Sequence, residues 1–78
     1  MNKSRIMHFV KQINSIKSRR ESMHITQAML AELSGVGLRT LKQFESGKGN
    51  PTLSTLQKLA DVLGLEISLQ LKKVTTGK

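Results

Sequence analysis

Residues 26–51, TQAMLAELSGVGLRTLKQFESGKGNP, decide the fold of this 78-residue chain. Thr26 is a favourable N-cap, so a helix is predicted over residues 27–34. The periodicity of that helix stops at Gly35, a residue suited to the left-handed conformation that ends helices. A second periodic segment covers residues 38–45 and is followed by a polar loop that ends in proline. This part of the chain therefore encodes two short helices joined by one tight turn.

Small and apolar side chains allow the two helices to pack closely. Ala31 is predicted where they cross, because a larger side chain would push them apart. The space between them is expected to be filled by Leu30, Val36, Leu41 and Phe44. Two short helices joined steeply by a glycine-containing turn form a helix-turn-helix unit, here predicted at about residues 26–46. In DNA-binding units of this kind the second helix lies in the major groove, so we expect the same of residues 38–45.

Helical periodicity also appears on both sides of this unit. A helix from about Arg5 to Ser22 carries apolar residues at three- and four-residue spacing. Thr52 is expected to cap a last helix that ends at Gly64. The predicted inward residues are Ile6, Phe9, Ile13 and Ile16 in the first helix, Leu30, Ala31 and Leu33 in the second, and Leu53, Leu56, Leu59, Ala60 and Leu63 in the last.

The segment after Gly64 has a different period. Apolar and polar residues alternate over about residues 65–72, which is typical of a half-buried strand. A lone strand has unpaired backbone groups, so we expect it to pair antiparallel with the same strand of a second subunit. Folding back onto its own helices is the alternative. The predicted dimerisation residues are Leu65, Ile67, Leu69 and Leu71.

The overall composition indicates a small basic domain with a polyanionic partner. The formal net charge is +8, from 13 basic and 5 acidic side chains. Such an excess favours DNA, although a membrane surface or an acidic protein would also attract it. The chain has no cysteine, no apolar run approaching the ~20 residues of a membrane span and no signal-like N-terminus. We expect a cytoplasmic, nucleoid-associated prokaryotic protein without metal or cofactor.

The residues of the central unit resemble the phage-repressor or Cro-like helix-turn-helix family. The similar pattern is Thr-Gln-x-x-Leu-Ala-x-x-x-Gly-Val, then Leu-x-x-Phe-Glu-x-Gly-Lys-x-x-Pro from Leu41, and the likeness extends over about residues 6–67. The resemblance implies an all-α, lambda-repressor-like domain of four or five helices that dimerises on palindromic operators. Together with the strand, this gives one domain over residues 1–74 and a frayed tail over residues 75–78.

The same resemblance implies a role for individual residues. Gln27 matches a glutamine that bonds a DNA phosphate, and Thr26 combines capping with a DNA contact. Leu38, Arg39, Lys42 and Gln43 match the exposed face of the recognition helix, since positions i, i+1, i+4 and i+5 share one side. Phosphate contacts are expected from Thr40, Lys42, Lys48 and Asn50.

Within the recognition helix, base contacts follow from side-chain chemistry. Arg39 suits guanine, Gln43 suits adenine and Leu38 suits a thymine methyl group.

Arg20 and Glu45 match a structural ion pair of the family. The chain departs from the family at Gly37, where Ser or Thr usually caps the recognition helix.

A narrower resemblance, to HipB-like antitoxins, comes from Leu-Gly-Leu-Glu at residues 63–66 and the alternating Ile-Ser-Leu-Gln-Leu that follows at residues 67–71. Such antitoxins bind a HipA-like serine/threonine kinase toxin and repress their own operon, so the same function is predicted here. The alternatives are a phage-type repressor or a restriction-modification controller without a toxin partner, and a protein-interaction adaptor. An enzyme is not expected, because no nucleophile with an adjacent base and no phosphate-binding glycine loop is found.

Overall fold

A computed structural model describes the backbone of residues 3–67 and the side chains of residues 11–67. In that range the chain is all-helical, as predicted, with α2 and α3 at the predicted bounds and α1 starting two residues early. None of these helices has the length and apolarity needed to cross a membrane. The elements are α1 (Lys3–Ser22), α2 (Gln27–Ser34), α3 (Leu38–Glu45) and α4 (Leu53–Leu63).

Local capping explains where the short helices begin and end. The Thr26 hydroxyl accepts a 3.0 Å hydrogen bond from the Met29 amide at the start of α2. Thr52 does the same for the amide of Thr55 at the start of α4, at 3.1 Å. Both helices end at a glycine in the left-handed region, with φ of 79° at Gly35 and 71° at Gly64. These satisfied ends confine α2 and α4 to the bounds that the sequence predicts.

The core lies where the helices meet, with α2 packed on both α3 and α4 and α1 packed across the same two helices. Each helix contributes buried apolar side chains, and the turn between α2 and α3 contributes one more. Removal of these side chains from water is the main favourable term in the folding of so small a domain. The core consists of Ile16, Leu30, Ala31, Val36, Leu41, Phe44, Leu56, Leu59, Ala60 and Leu63.

Two leucines predicted to face the core are exposed. Leu33 is 63% exposed, because the buried face of α2 is centred between Leu30 and Ala31 and Leu33 lies well to one side of it. Leu53 is 56% exposed, because it occupies the first turn of α4, ahead of the first buried residue, Leu56. Helical periodicity alone therefore predicts a wider buried face than α2 and α4 have at these two positions.

The predicted strand is not supported in the part of it that is described. Residues 65–67 form neither helix nor strand. Leu65 and Ile67 nevertheless pack against the core while Glu66 is exposed, so the alternation of side chains is present. A strand needs a second backbone edge, and residues 3–67 of one chain supply none. Leu69 and Leu71 lie outside the described residues.

Candidate nucleic-acid interface

Helix α3 presents one polar face to solvent and one apolar face to the core. Its inward side chains are Leu41, Phe44 and Glu45. The N-terminal residue, Leu38, is 38% exposed, which leaves it available at the surface despite its apolar character. All five α3 residues predicted to contact DNA are on the outward side: Leu38, Arg39, Thr40, Lys42 and Gln43.

The charge on this outward side is wholly positive. Arg39 and Lys42 are exposed on α3, and Lys48 is exposed in the loop that follows. Glu45 is the only carboxylate in the helix and is buried, 7% exposed, so it does not offset these cations at the surface. A helix whose outer face carries cations and an amide but no acid is suited to a polyanion.

The loop after α3 folds back against the helix. The Lys48 amide donates to the Gln43 carbonyl at 2.8 Å, and the Gly47 amide donates to the Phe44 carbonyl at 3.0 Å. This turn forms one side of an open cleft of about 220 Å³, which brings Thr40, Gln43, Lys48 and Asn50 together. The cleft is lined by Thr40, Gln43, Phe44, Lys48, Gly49, Asn50, Pro51, Thr52 and Thr55.

Gln27 occupies the start of α2 and is half-buried. Its Nε2 donates a 3.0 Å hydrogen bond to Oε1 of Glu45, at the far end of α3. An amide nitrogen carries two hydrogens, so the second N–H remains for another acceptor. No sequence pattern predicts this contact, because the two residues are 18 positions apart and neither residue type requires the other.

The structure joins Arg20 and Glu45 in a buried, bidentate ion pair. Arg20 Nε lies 2.8 Å from Glu45 Oε2, and Nη2 lies 2.9 Å from Oε1. A third donation, from Nη1 to the carbonyl of Ile25 at 2.9 Å, ties the pair to the segment before α2. The side-chain hydrogen bond to Glu45 raises the pKa of Arg20, against the opposing effect of burial. The pair thus connects α1, the start of α2 and the end of α3.

Comparison with known proteins shows related domains in repressors. Over 52 residues, or 67% of this chain, it is 38% identical to a cryptic phage CTXphi transcriptional repressor of Vibrio cholerae serotype O1. Over 53 residues, or 68% of the chain, it is also 38% identical to the immunity repressor protein of Bacillus phage phi105. The matched stretches cover 46% and 37% of these relatives, so the chain spans less than half of either. The model of the helix-turn-helix family matches residues 16–70, and the chain therefore belongs to that family.

Proposed function

We propose that this protein is a sequence-specific DNA-binding transcriptional repressor of the phage type. The observation that carries the proposal is the outward face of α3, where five polar or accessible side chains are displayed with no surface carboxylate among them. The two relatives are named as repressors and match the chain across this region. A restriction-modification controller would use the same surface, so the regulated gene distinguishes these two forms of the proposal.

The side chains of the interface divide into those that recognise bases and those that contact phosphates. Arg39 and Gln43 have the donors and acceptors that suit guanine and adenine in the major groove, and Leu38 suits a thymine methyl group. Lys48 and Asn50 lie at the edge of the cleft, where phosphate contacts would hold the recognition helix in register. Gln27, at the start of α2, would donate its second N–H to a phosphate of the DNA backbone. Thr26, Thr40 and Lys42 complete the set of phosphate-contacting residues.

We place the protein on its operator as a homodimer. Support comes from the alternating pattern of residues 65–72, in which Leu65 and Ile67 pack against the core while Glu66 faces solvent. We propose that this segment pairs antiparallel with its copy about a twofold axis and that the two α3 helices lie on one side of the dimer. The half-sites would then lie about one helical turn, ~34 Å, apart or a multiple of that.

Selection from a random DNA library, followed by footprinting of the selected sequence, tests this function. We expect a palindrome to be enriched and protected. The variant Arg39→Ala should lose the preference for that palindrome, whereas Lys58→Ala, which removes an exposed cation from α4, should keep it. Enrichment of no sequence over any other would refute sequence-specific binding.

The antitoxin function remains a second proposal, supported by the Leu-Gly-Leu-Glu sequence at residues 63–66 and the alternation that follows. It adds a HipA-like serine/threonine kinase toxin as a partner to the same DNA-binding dimer. Co-purification with the product of an adjacent kinase-like gene, and relief of its toxicity on co-expression, would support it. Stable repression by the protein where no kinase gene lies next to its own gene would favour the phage-type repressor.

A further inference from the structure

Arg19, near the end of α1, contacts the end of α4, 44 positions further along the chain. Its Nε donates a 2.8 Å hydrogen bond to the carbonyl of Leu63, the last residue of that helix. The last carbonyls of a helix have no hydrogen-bond donor within the helix, and Arg19 supplies a donor to one of them. Its positive charge also lies at the negative end of the α4 dipole. Arg19 therefore joins α1 to the point where α4 stops.

The chain turns sharply at this point. Gly64 has φ of 71°, and the amide of Leu65 donates to the carbonyl of Ala60 at 2.9 Å, which closes a Schellman turn. The guanidinium of Arg19 lies beside the turn, since a Cβ added at Gly64 would be 3.7 Å from Nη2. The carbonyl before Gly64 and the amide after it are thus both held by hydrogen bonds.

The residues after the turn follow a fixed path along the domain. Leu65 and Ile67 pack against the core, and Glu66 faces solvent. The segment that we propose for dimerisation therefore leaves the DNA-binding domain in a set direction, without a flexible linker between Leu63 and Ile67.

We propose that Arg19 is a positioning residue that sets the spacing of operator half-sites by holding the direction in which the chain leaves α4. The inference rests on the proposed dimeric DNA binding. Two recognition helices that are rigidly connected fit one spacing, because adding one base pair moves a half-site by ~3.4 Å along the DNA and also rotates it. Loosening the connection should let the dimer accept other spacings.

The test compares the full-length protein with Arg19→Met, which keeps the length of the side chain and removes its donors and charge. Binding is measured to the selected palindrome, to palindromes with one base pair added or removed at the centre, and to a single half-site. We expect unchanged affinity for the half-site. Discrimination between the cognate and altered spacings should fall roughly two- to fivefold, the factor that a cation at a helix C-terminus can supply. Arg19→Lys, which keeps the charge without the planar fork, should be intermediate.

Lys17→Met is the matched control, because it removes an exposed cation two residues earlier in the same helix and should keep the discrimination. An equal loss of half-site and palindrome affinity in Arg19→Met would overturn the inference by making Arg19 a DNA contact. Unchanged discrimination in a folded variant would also overturn it. If Arg19→Met fails to fold, Arg19→Lys carries the same comparison.

A wild-type protein that binds the half-site but shows no preference for spacing would refute the inference and leave sequence recognition standing. A wild-type protein that recognises no sequence would refute the proposed function itself.

Discussion

Gln27, the first residue of α2, donates from Nε2 to Oε1 of Glu45, the last residue of α3, over 3.0 Å. The same carboxylate receives two hydrogen bonds from Arg20, so it is held in one position before any ligand arrives. An ionised carboxylate can only accept hydrogen bonds. Glu45 therefore also determines that the amide nitrogen of Gln27, and not the amide oxygen, points towards it. The residue proposed to anchor a phosphate is thus oriented by the scaffold beneath the recognition helix.

Replacement of Gln27 by alanine should weaken binding to all DNA sequences alike. The lost contact is a hydrogen bond to a charged phosphate, so we expect about 1.5 kcal/mol for each half-site, measured by fluorescence anisotropy on selected and unrelated duplexes. Gln27→Glu should bind still more weakly, since its charge would repel both Glu45 and the phosphate. A loss confined to one base position would contradict the anchoring role.

Arg39→Ala should have the opposite signature. We expect a loss of ~1–3 kcal/mol that disappears when one particular base pair of the half-site is already changed, because the arginine is proposed to bond that base directly. The measurement is a set of competition assays with singly substituted operators. Equal losses on every substituted operator would place Arg39 on the backbone instead.

Lys42→Ala serves as the comparison on the same exposed face. As a phosphate contact it should weaken binding without altering base preference. The slope of log K against log salt should fall by about 0.9 for each phosphate contact removed. An unchanged slope would show that Lys42 neutralises no phosphate.

Glu45→Ala should destabilise the fold severely. Removing the carboxylate leaves the guanidinium of Arg20 buried without its counter-ion, with an expected cost of about 3–5 kcal/mol in urea denaturation. Arg20→Met combined with Glu45→Leu should recover part of this loss, because no unpaired charge then remains. Additive losses in the double variant would argue against a coupled pair.

The titration of Arg20 should not affect stability near neutral pH. The pKa of Arg20 in the folded protein is raised above its ordinary value, so its contribution is fully present below the pKa of the unfolded chain and is lost only as the pH rises through the folded value. Denaturation midpoints of wild type and Arg20→Lys should therefore differ by a constant amount through the neutral range.

Leu30 and Leu33 form a matched pair for testing the core, since both lie in α2 but are 0% and 63% exposed. Leu30→Ala should cost about 2–5 kcal/mol through lost burial and the cavity left behind. Leu33→Ala should change the free energy of unfolding of the monomer by no more than about 0.5 kcal/mol. A large loss at Leu33 would mean that another surface covers it in solution.

Gly37→Ser should stabilise the protein slightly. The backbone at Gly37 has φ of −60° and ψ of 143°, which serine adopts readily, and an added Cβ would meet only the Thr40 hydroxyl oxygen, at 3.9 Å. A serine hydroxyl could accept from a free amide of the first turn of α3, for a gain of a few tenths of a kcal/mol. A lower melting temperature in thermal denaturation would contradict this capping geometry.

Local chemistry explains how much of the fold was predictable. The bounds of α2 and α3 depend on residues within a few positions of each end, such as the capping hydroxyl of Thr26 and the left-handed Gly35. Capping and backbone conformation are short-range effects, so the sequence contains them directly. The outward face of α3 follows in the same way from helical spacing once Leu41 and Phe44 are placed inside.

Other features depend on which surfaces the helices present to one another. Leu33 and Leu53 are apolar and suitably spaced, yet the surfaces that α2 and α4 bury against the other helices do not include them. The contacts of Gln27 with Glu45 and of Arg19 with Leu63 join residues 18 and 44 positions apart, and no local pattern specifies such pairs. The sequence by itself thus determined the helices and the face proposed to contact DNA, because those follow from local conformation and periodicity. The tertiary structure decided which side chains are buried and which polar groups meet, because these depend on how distant segments are arranged in space.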